Sequence, residues 1–333
     1  MDLPKGYSAV PASRDDIEEV WRMMVEVNLA EAGTPGFGLA EMENWLTGKP
    51  IVIGEDVMLV RDGGGELVGV EIVDCRPPFV RPHVIGGVRP AHTGLGIGNA
   101  LLTWAKNWTI DRLDNAPENA RVTFLTSTAA DHTHSARTMS DFGLELVRYF
   151  IDMQIGFDGK PPDPVIPAGI TIREFDPDSE LEELTDLFRD SFRDHYGYVE
   201  GPREARIEYF KHWMTQSDHD PYLWWVAEDS GRLVAHNLCE PTNEGDPNVG
   251  YVASLAVHPT HRGRGLGRAL LLAAFNRFFE MGKTGAALGV DADSLTGATK
   301  LYESVGMAPY TKYAMWEMVI REGDEMATLD LDD

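Results

Sequence analysis

The residues best suited to chemistry lie in one stretch of the second half, residues 255–272, which read LAVHPTHRGRGLGRALLL. A short apolar run is followed there by a glycine-rich turn and then by a segment of helical periodicity. Glycine allows positive φ angles and a close approach of backbone to ligand. The first turn of a helix also presents unpaired N–H groups at the positive end of the peptide dipoles. This order of strand, turn and helix predicts a cradle for a diphosphate.

The composition of the turn narrows the choice of ligand. Arg262 and Arg264 add charge-assisted donors to the cradle. Gly263, Gly265 and Gly267 give the spacing G-x-G-x-G, without the spacing and the downstream acidic residue of a dinucleotide-binding turn. No Lys-Ser or Lys-Thr pair follows, as a P-loop requires. The turn therefore favours a diphosphate ligand of another class, with an ordinary glycine-rich turn as the alternative.

Length and composition bound the class of protein. A chain of 333 residues fits two domains of about 150–170 residues. Its net charge of −25 disfavours nucleic acid and anionic membranes as partners and favours amines. Cys75 and Cys239 are the only cysteines, so no disulfide framework is expected. Without an apolar leader, an 18-residue apolar run or the spacing of a zinc site, we expect a cytoplasmic protein that binds no metal.

The elements that must position the cradle occur twice. Val88-Arg89-Pro90 and Gly96-x-Gly98 recur 169 residues later as Val257-His258-Pro259 and Gly265-x-Gly267. Each copy shows an opening strand and helix, a hairpin, a strand–turn–helix and a closing strand–helix–strand pattern. A repeat of this length indicates a duplicated domain. We therefore expect an α/β fold of two tandem domains, each a central mixed twisted sheet flanked by helices.

The domain boundaries follow from this repeat. We predict an N-terminal domain at residues 1–155, a linker at 156–168, a C-terminal domain at 169–322 and an acidic tail at 323–333. The linker prediction rests on the proline- and glycine-rich segment GFDGKPPDPVIPAG, which has little periodicity. The tail is expected to be frayed.

Two segments carry a resemblance to a known family. The pattern R-x-x-G-x-G at 262–267, after L-A-V-x-P, resembles the acetyl-CoA motif of the GNAT N-acetyltransferase superfamily. Residues 298–307, ATKLYESVGM, are similar to its closing segment A-x-x-L-Y-x-x-x-G-F. A tandem of two such domains with an active second copy resembles the mycothiol synthase type of tandem acetyltransferase. The resemblance covers nearly the whole chain.

The resemblance implies roles for particular residues. Tyr302 would donate a proton to the departing CoA thiolate, which suits a phenol that is protonated at pH 7; a tyrosine packed in the core is the alternative. The backbone of Leu255, Ala256 and Val257 would pair with the pantetheine arm of acetyl-CoA. Ser294 lies where family members often carry an asparagine that contributes to the same site. The diphosphate would be held by Arg262, Gly263, Arg264, Gly265, Leu266, Gly267 and Arg268.

The two copies are not chemically equal. The first cradle keeps its glycines but has Thr93 and Leu95 in place of the two arginines, and Met139 stands at the position of Tyr302. A methionine has no proton to donate, so the first copy is expected to be catalytically silent. Its backbone could still form a second CoA site from Val88, Gly94, Leu95, Gly96, Ile97, Gly98 and Asn99.

The expected reaction is transfer of an acetyl group from acetyl-CoA to a primary amine of a small molecule in the C-terminal domain. Mycothiol synthases place a glutamate base on the strand before the cradle, where this chain has Tyr251. The base is therefore open among Glu240, His236 and a water chain past Tyr251. A non-catalytic acyl-CoA sensor and an enzyme that uses a longer acyl-CoA are the alternatives. The tandem arrangement favours a monomer.

Overall fold

The computed structural model describes residues 1–216, 219–294 and 297–329, and strands and helices alternate along them. The strands are β1 (Ser8–Pro11), β2 (Val57–Arg61), β3 (Leu67–Asp74), β4 (His83–Val88), β5 (Val122–Ala129), β6 (Glu145–Gly156), β7 (Ile170–Glu174), β8 (Trp224–Asp229), β9 (Arg232–Glu240), β10 (Val249–Val257), β11 (Gly285–Asp291) and β12 (Ala308–Arg321). The helices are α1 (Ile17–Glu31), α2 (Leu39–Thr47), α3 (Ile53–Asp56), α4 (Ile97–Asp111), α5 (Thr133–Phe142), α6 (Pro177–Phe192), α7 (Arg203–Met214), α8 (Leu266–Glu280) and α9 (Ala298–Ser304). The predicted class, a mixed sheet flanked by helices, is confirmed.

The chain forms two compact units whose limits differ from the contiguous domains predicted from the repeat. The first unit comprises Met1–Tyr149 and Lys312–Met326, and the second comprises Phe150–Thr311 and the residues from Ala327 onward. The reason is an exchange of closing strands. β6, assigned by sequence to the first domain, pairs with β11 of the second unit, and β12 pairs with β5 of the first. The sequence repeat marks the two duplicated segments, whereas the limits of the two compact units depend on which strands pair.

The predicted linker and the predicted acidic tail lie outside the two repeats, and the structure describes each differently. The predicted linker at 156–168 contains no helix or strand after Gly156. The tail is not frayed at its beginning, because the Asp324 N–H donates to Asn119 O at 2.7 Å and the Thr328 hydroxyl donates to Arg193 O at 2.9 Å. Its last residues, 330–333, lie outside the described residues.

In the first unit the strands lie in the order β1-β2-β3-β4-β5-β12. Strands β1 to β4 pair antiparallel, whereas β4 pairs parallel with β5 at only two positions, His83 with Leu125 and Val84 with Thr126. Beyond these pairs β4 and β5 separate, and we call the gap between them the first fork. Apolar residues of α1 and α2 form one core with β2 and β3, and those of α4 and α5 form another with β5.

In the second unit the order is β6-β11-β10-β9-β8-β7. The parallel pairing of β10 with β11 joins Val249–Tyr251 to Gly285–Ala287 and then stops. The gap beyond Tyr251 and Ala287 is called the second fork. A register shift between Val252 and Ser254 interrupts the pairing of β10 with β9 at the same level. Helices α6 and α7 form one aromatic core with β8 and β9, and α8 and α9 form another with β10 and β11.

Candidate active site

The predicted order of strand, glycine turn and helix is confirmed at the end of the second fork. β10 ends at Val257, a short turn follows, and α8 begins at Leu266 after Gly265, whose φ of +85° only glycine adopts without strain. The first N–H groups of α8 have no carbonyl one turn earlier. Leu266 and Gly267 are buried, and Gly263, Arg264 and Gly265 are exposed. The cradle therefore offers a row of backbone donors.

The three arginines of the cradle have different surroundings. Arg262 points away from the turn: its Nε donates to Val257 O at 3.2 Å, and its Nη2 donates to Ser191 O at 2.8 Å and to Asp194 Oδ1 at 3.1 Å. In this arrangement Arg262 ties the end of β10 to the end of α6. Arg264 is exposed, with Asp229 Oδ2 at 3.6 Å. Among the described residues, Arg268 has no ion-pair or hydrogen-bonding partner for its side chain.

This geometry predicts opposite effects for the two arginines of the turn. Arg262→Ala should lower the free energy of unfolding by about 1–3 kcal/mol, because it removes charge-assisted hydrogen bonds to α6. Arg264→Ala should leave the melting temperature nearly unchanged and weaken CoA binding by roughly tenfold through loss of a phosphate contact. Thermal unfolding and calorimetric titration with CoA measure the two effects. Equal loss of CoA affinity in both variants at unchanged stability would contradict this division.

The strand segment before the cradle has one side without a partner strand. Leu255, Ala256 and Val257 pair with β9, while the pairing with β11 has already ended at Tyr251. Backbone groups of an extended strand alternate in direction, so the second fork exposes N–H and C=O groups of this segment to an added extended ligand.

Tyr302 lies on α9 beside the start of α8. Its neighbour Leu301 packs on Gly267, where a Cβ atom would lie 3.0 Å from Leu301 Cδ2. The Tyr302 side chain is 8% exposed, and burial raises its pKa to about 12. It therefore remains protonated throughout the neutral range. Ser294, in the loop before α9, donates its N–H to Asp291 O at 3.1 Å; the next two residues lie outside the described part of the chain.

A carboxyl group at the second fork was missed by sequence reasoning. Asp152 of β6 faces Gly289 of β11, and a Cβ atom on Gly289 would lie 3.3 Å from Asp152 Oδ1 and 3.6 Å from Tyr251 Oη. The two side chains thus approach the same point, two residues beyond the last β10–β11 pair. Burial, together with the charge of Glu244, raises the pKa of Asp152 to about 7.

The phenol of Tyr302 and the carboxyl group of Asp152 lie on different faces of the sheet. A Cβ atom on Gly250 would point into α8, 2.4 Å from Phe278. Side chains alternate along a strand, so Tyr251 lies on the face opposite α8, and Asp152 lies on that face with it. Tyr302, on α9, lies on the α8 face. A group held in the fork would therefore have a proton donor on one side and a proton acceptor on the other.

The general-base candidates named from the sequence differ in their burial and their contacts. His236 is fully buried, its Nε2 lies 2.9 Å from Ser254 Oγ, and burial lowers its pKa to about 3. Such a histidine is a packed structural residue. Cys239 is also buried, and burial raises its pKa well above the usual thiol range. Glu240 pairs with Tyr251 across β9 and β10 and stays a candidate.

The first unit repeats the cradle and has a cavity beside it. α4 begins at Ile97 after Gly96, whose φ is +89°. Ile97 is buried in the core and Leu95 is exposed, and neither lines the cavity of about 270 Å³ that lies between the glycine turn and the first fork. Met139 lines this cavity. Of the residues predicted for a second CoA site, those that line the cavity are Val88, Gly94, Gly96, Gly98 and Asn99.

Two properties of the described residues bear on metal ions and membranes. Over residues 1–216, 219–294 and 297–329, no group of three or more His, Cys, Asp or Glu side chains could hold a metal ion. No helix within these ranges has the length and apolar character needed to span a bilayer.

Several known proteins are similar to this chain in sequence. Residues 181–307 match the acetyltransferase (GNAT) family. A mycothiol acetyltransferase from Thermobispora bispora is 28% identical over 268 residues, covering 79% of this chain and 83% of that protein.

Two solved structures share the fold of the whole chain. A GCN5-related N-acetyltransferase from Sphaerobacter thermophilus is 29% identical, with a TM-score of 0.82 and coverage of 99% of this chain and 100% of that one. A tandem GNAT protein from the clavulanic acid biosynthesis pathway is 18% identical, with a TM-score of 0.74 and coverage of 96% and 100%. The second similarity concerns the fold alone.

Proposed function

Because the chain is an acetyltransferase of the GNAT family with two tandem units, we propose that its second unit transfers the acetyl group of acetyl-CoA to a primary amine of a small molecule. The observation that carries this proposal is the second fork, which ends at the backbone cradle. The fork offers unpaired strand groups to an extended pantetheine arm, and the cradle offers N–H groups to a diphosphate. The residues present therefore fit acetyl-CoA.

The proposed mechanism uses one residue on each face of the fork. Asp152, with a pKa near neutrality, accepts the proton of the ammonium substrate, so that the free amine attacks the thioester carbonyl. Backbone N–H groups of β10 hold the carbonyl oxygen as negative charge develops on it. Tyr302 gives its phenolic proton to the sulfur as the carbon–sulfur bond breaks. The nitrogen loses its second proton as the amide forms, and one proton taken up from solvent restores the Tyr302 phenol. Asp152 releases its proton to solvent, so the products are the acetylated amine, CoA thiol and one proton.

The substrate class follows from the charge of the face that carries Asp152. Asp152 and Glu244 place two carboxyl groups near the fork, which favours a cationic amine. Residues 191–225 are rich in acidic and aromatic side chains, but several of these already have partners within the protein. Trp213 and Trp224 lie in the core of α6 and α7, and Asp194 is paired with Arg262. The strand β10 carries no acidic residue, so we extend the relatives' activity to this chain only as amine acetylation.

The test is thiol release from acetyl-CoA in the presence of a panel of primary amines, with mass spectrometry of the products. We expect amine-dependent release and a mass gain of one acetyl group on the amine. CoA binding without amine-dependent release would favour a non-catalytic sensor. Faster turnover with a longer acyl-CoA would keep the enzyme and change its donor.

A further inference from the structure

The cavity of the first unit has a lining that differs from that of an acyl-CoA site. It is bounded by the first fork, the cradle and the helices α4 and α5. Its titratable lining residues are Glu31, Glu71, His92 and His134, and no lysine or arginine lines it in the described part of the chain. Hydroxyl groups are abundant and come from Thr126, Ser127, Thr128, Ser135 and Thr138. The lining is therefore acidic and rich in hydroxyl groups, which disfavours a ligand with several phosphates.

Glu71 is the most unusual of these groups. Its side chain lies on β3, is 5% exposed, and has no hydrogen-bonding partner among the described residues. Burial raises its pKa to about 8, with no contribution from a neighbouring charge. An unpartnered buried carboxyl group is costly to a fold.

The opposite residue on β4 makes room for this carboxyl group. Glu71 faces Gly86, and a Cβ atom on Gly86 would lie 2.5 Å from Glu71 Oε1. The same Cβ atom would lie 2.2 Å from Val70 O, so a larger residue at position 86 would clash with the backbone of β3 as well as with the glutamate. The second unit shows that the fold does not need this pair, since Asn237 and Leu255 occupy the same register there. The Asn237 amide is satisfied by Leu270 O at 3.1 Å.

From these contacts we propose that the cavity of the first unit binds a small hydroxylated amine, whose ammonium group pairs with the Glu71 carboxylate. Binding of an ammonium ion would ionise Glu71 and release its proton to solvent. The Thr126 hydroxyl would donate hydrogen bonds to the ligand's hydroxyl groups and accept hydrogen bonds from them. The Thr128 hydroxyl already accepts from Trp316 Nε1 at 3.0 Å and would donate to the ligand. Glu31 already holds Ser135 Oγ at 3.0 Å and would border the same ligand. This site is separate from the proposed acetyl transfer in the second unit.

The test is binding of a matched pair of probes to the full-length protein at pH 7. Glucamine and sorbitol differ only in an ammonium group in place of a hydroxyl group. We expect glucamine to bind at least about tenfold more tightly, as one added ion pair allows, and to release close to one proton per molecule bound. Calorimetry measures the affinity, and a pH indicator in weakly buffered solution measures the proton.

Two variants make the test specific to the cavity. Glu71→Gln keeps the shape and should abolish both proton release and the preference for glucamine, whereas Glu66→Gln, at an exposed site near β3, should keep both. If Glu71→Gln fails to fold, Met139→Trp replaces it in the test, because the larger side chain should fill the cavity and abolish binding. Equal binding of the two probes, or full proton release in Glu71→Gln, would overturn the proposal. So would two bound CoA molecules per wild-type chain with one lost in Met139→Trp, since the cavity would then belong to acyl-CoA. None of these measurements requires acetyl transfer.

Discussion

Replacing Tyr302 with phenylalanine should lower kcat by roughly 100-fold, the usual contribution of a positioned general acid. The phenyl ring keeps the packing of the buried side chain against its core, so the KM for acetyl-CoA should stay within about twofold. Because the pKa of Tyr302 is about 12, the wild-type rate should not fall with rising pH anywhere below about pH 11 through loss of this proton. Steady-state kinetics over pH 6–10 at saturating amine measures all three quantities.

The control for this variant is Tyr222→Phe. Tyr222 is exposed and contacts the guanidinium of Arg277 through its ring, away from the fork. It should retain the wild-type kcat. A Tyr302→Phe enzyme with unchanged turnover would remove the phenol from the mechanism and leave Tyr302 as a packing residue.

Replacing Asp152 with asparagine should lower kcat/KM for a basic primary amine by roughly 100-fold at pH 7. In the wild type, kcat/KM should rise with pH and level off above about pH 7, because Asp152 must be ionised to accept a proton. Asp152→Asn should lose this rise. An amine of low basicity, such as aminoacetonitrile, is already unprotonated at pH 7 and should be affected far less. The contrast between the two amines separates proton removal from substrate binding.

Glu240→Gln tests the competing candidate for the general base, since Glu240 lies opposite Tyr251 on the neighbouring strand. If Glu240→Gln loses the pH dependence and Asp152→Asn keeps it, the base is Glu240. If no amine is acetylated by the wild-type enzyme, the proposed function itself fails.

Stability gives an independent check on Asp152. Its pKa is raised in the folded state, so the folded protein keeps a proton that the unfolded chain loses above about pH 4. Stability therefore falls as pH rises from about 4 to about 7, and ionised Asp152 is a cost above that window. Asp152→Asn should be at least as stable as the wild type at pH 8. A loss of activity in a protein that melts no earlier cannot be attributed to unfolding.

Sequence reasoning succeeded where the information is local. The apolar strand ending at Val257, the glycines of the turn and the periodicity of α8 are contiguous, so spacing alone predicted their order. The repeat predicted a second cradle at Gly96 in the same way. These features depend on backbone propensity and positive φ angles, which residue types report directly.

Sequence reasoning could not report contacts between residues that are distant in the chain. Arg262 was predicted from its position to hold a phosphate, and that role stays a prediction. Its guanidinium donates to Ser191 O at the end of α6 and to Asp194 just beyond that helix, contacts that the sequence did not indicate. Asp152 has no unusual neighbours in sequence, and its position beside Tyr251 depends on the pairing of β6 with β11. That pairing joins strands from different copies of the repeat, so the periodicity within one copy does not report it.

The exchange of β6 and β12 between the two units also constrains how the chain folds during its synthesis. A protein folds from its N-terminus during synthesis, yet the first unit includes Lys312–Met326, which leave the ribosome only after nearly the whole second unit. Until then the edge of β5 that β12 will cover carries unpaired backbone groups. We expect pulse proteolysis of nascent chains to find residues 1–149 protease-sensitive until about position 326 has emerged. Expression of either half alone should for the same reason give an aggregation-prone product.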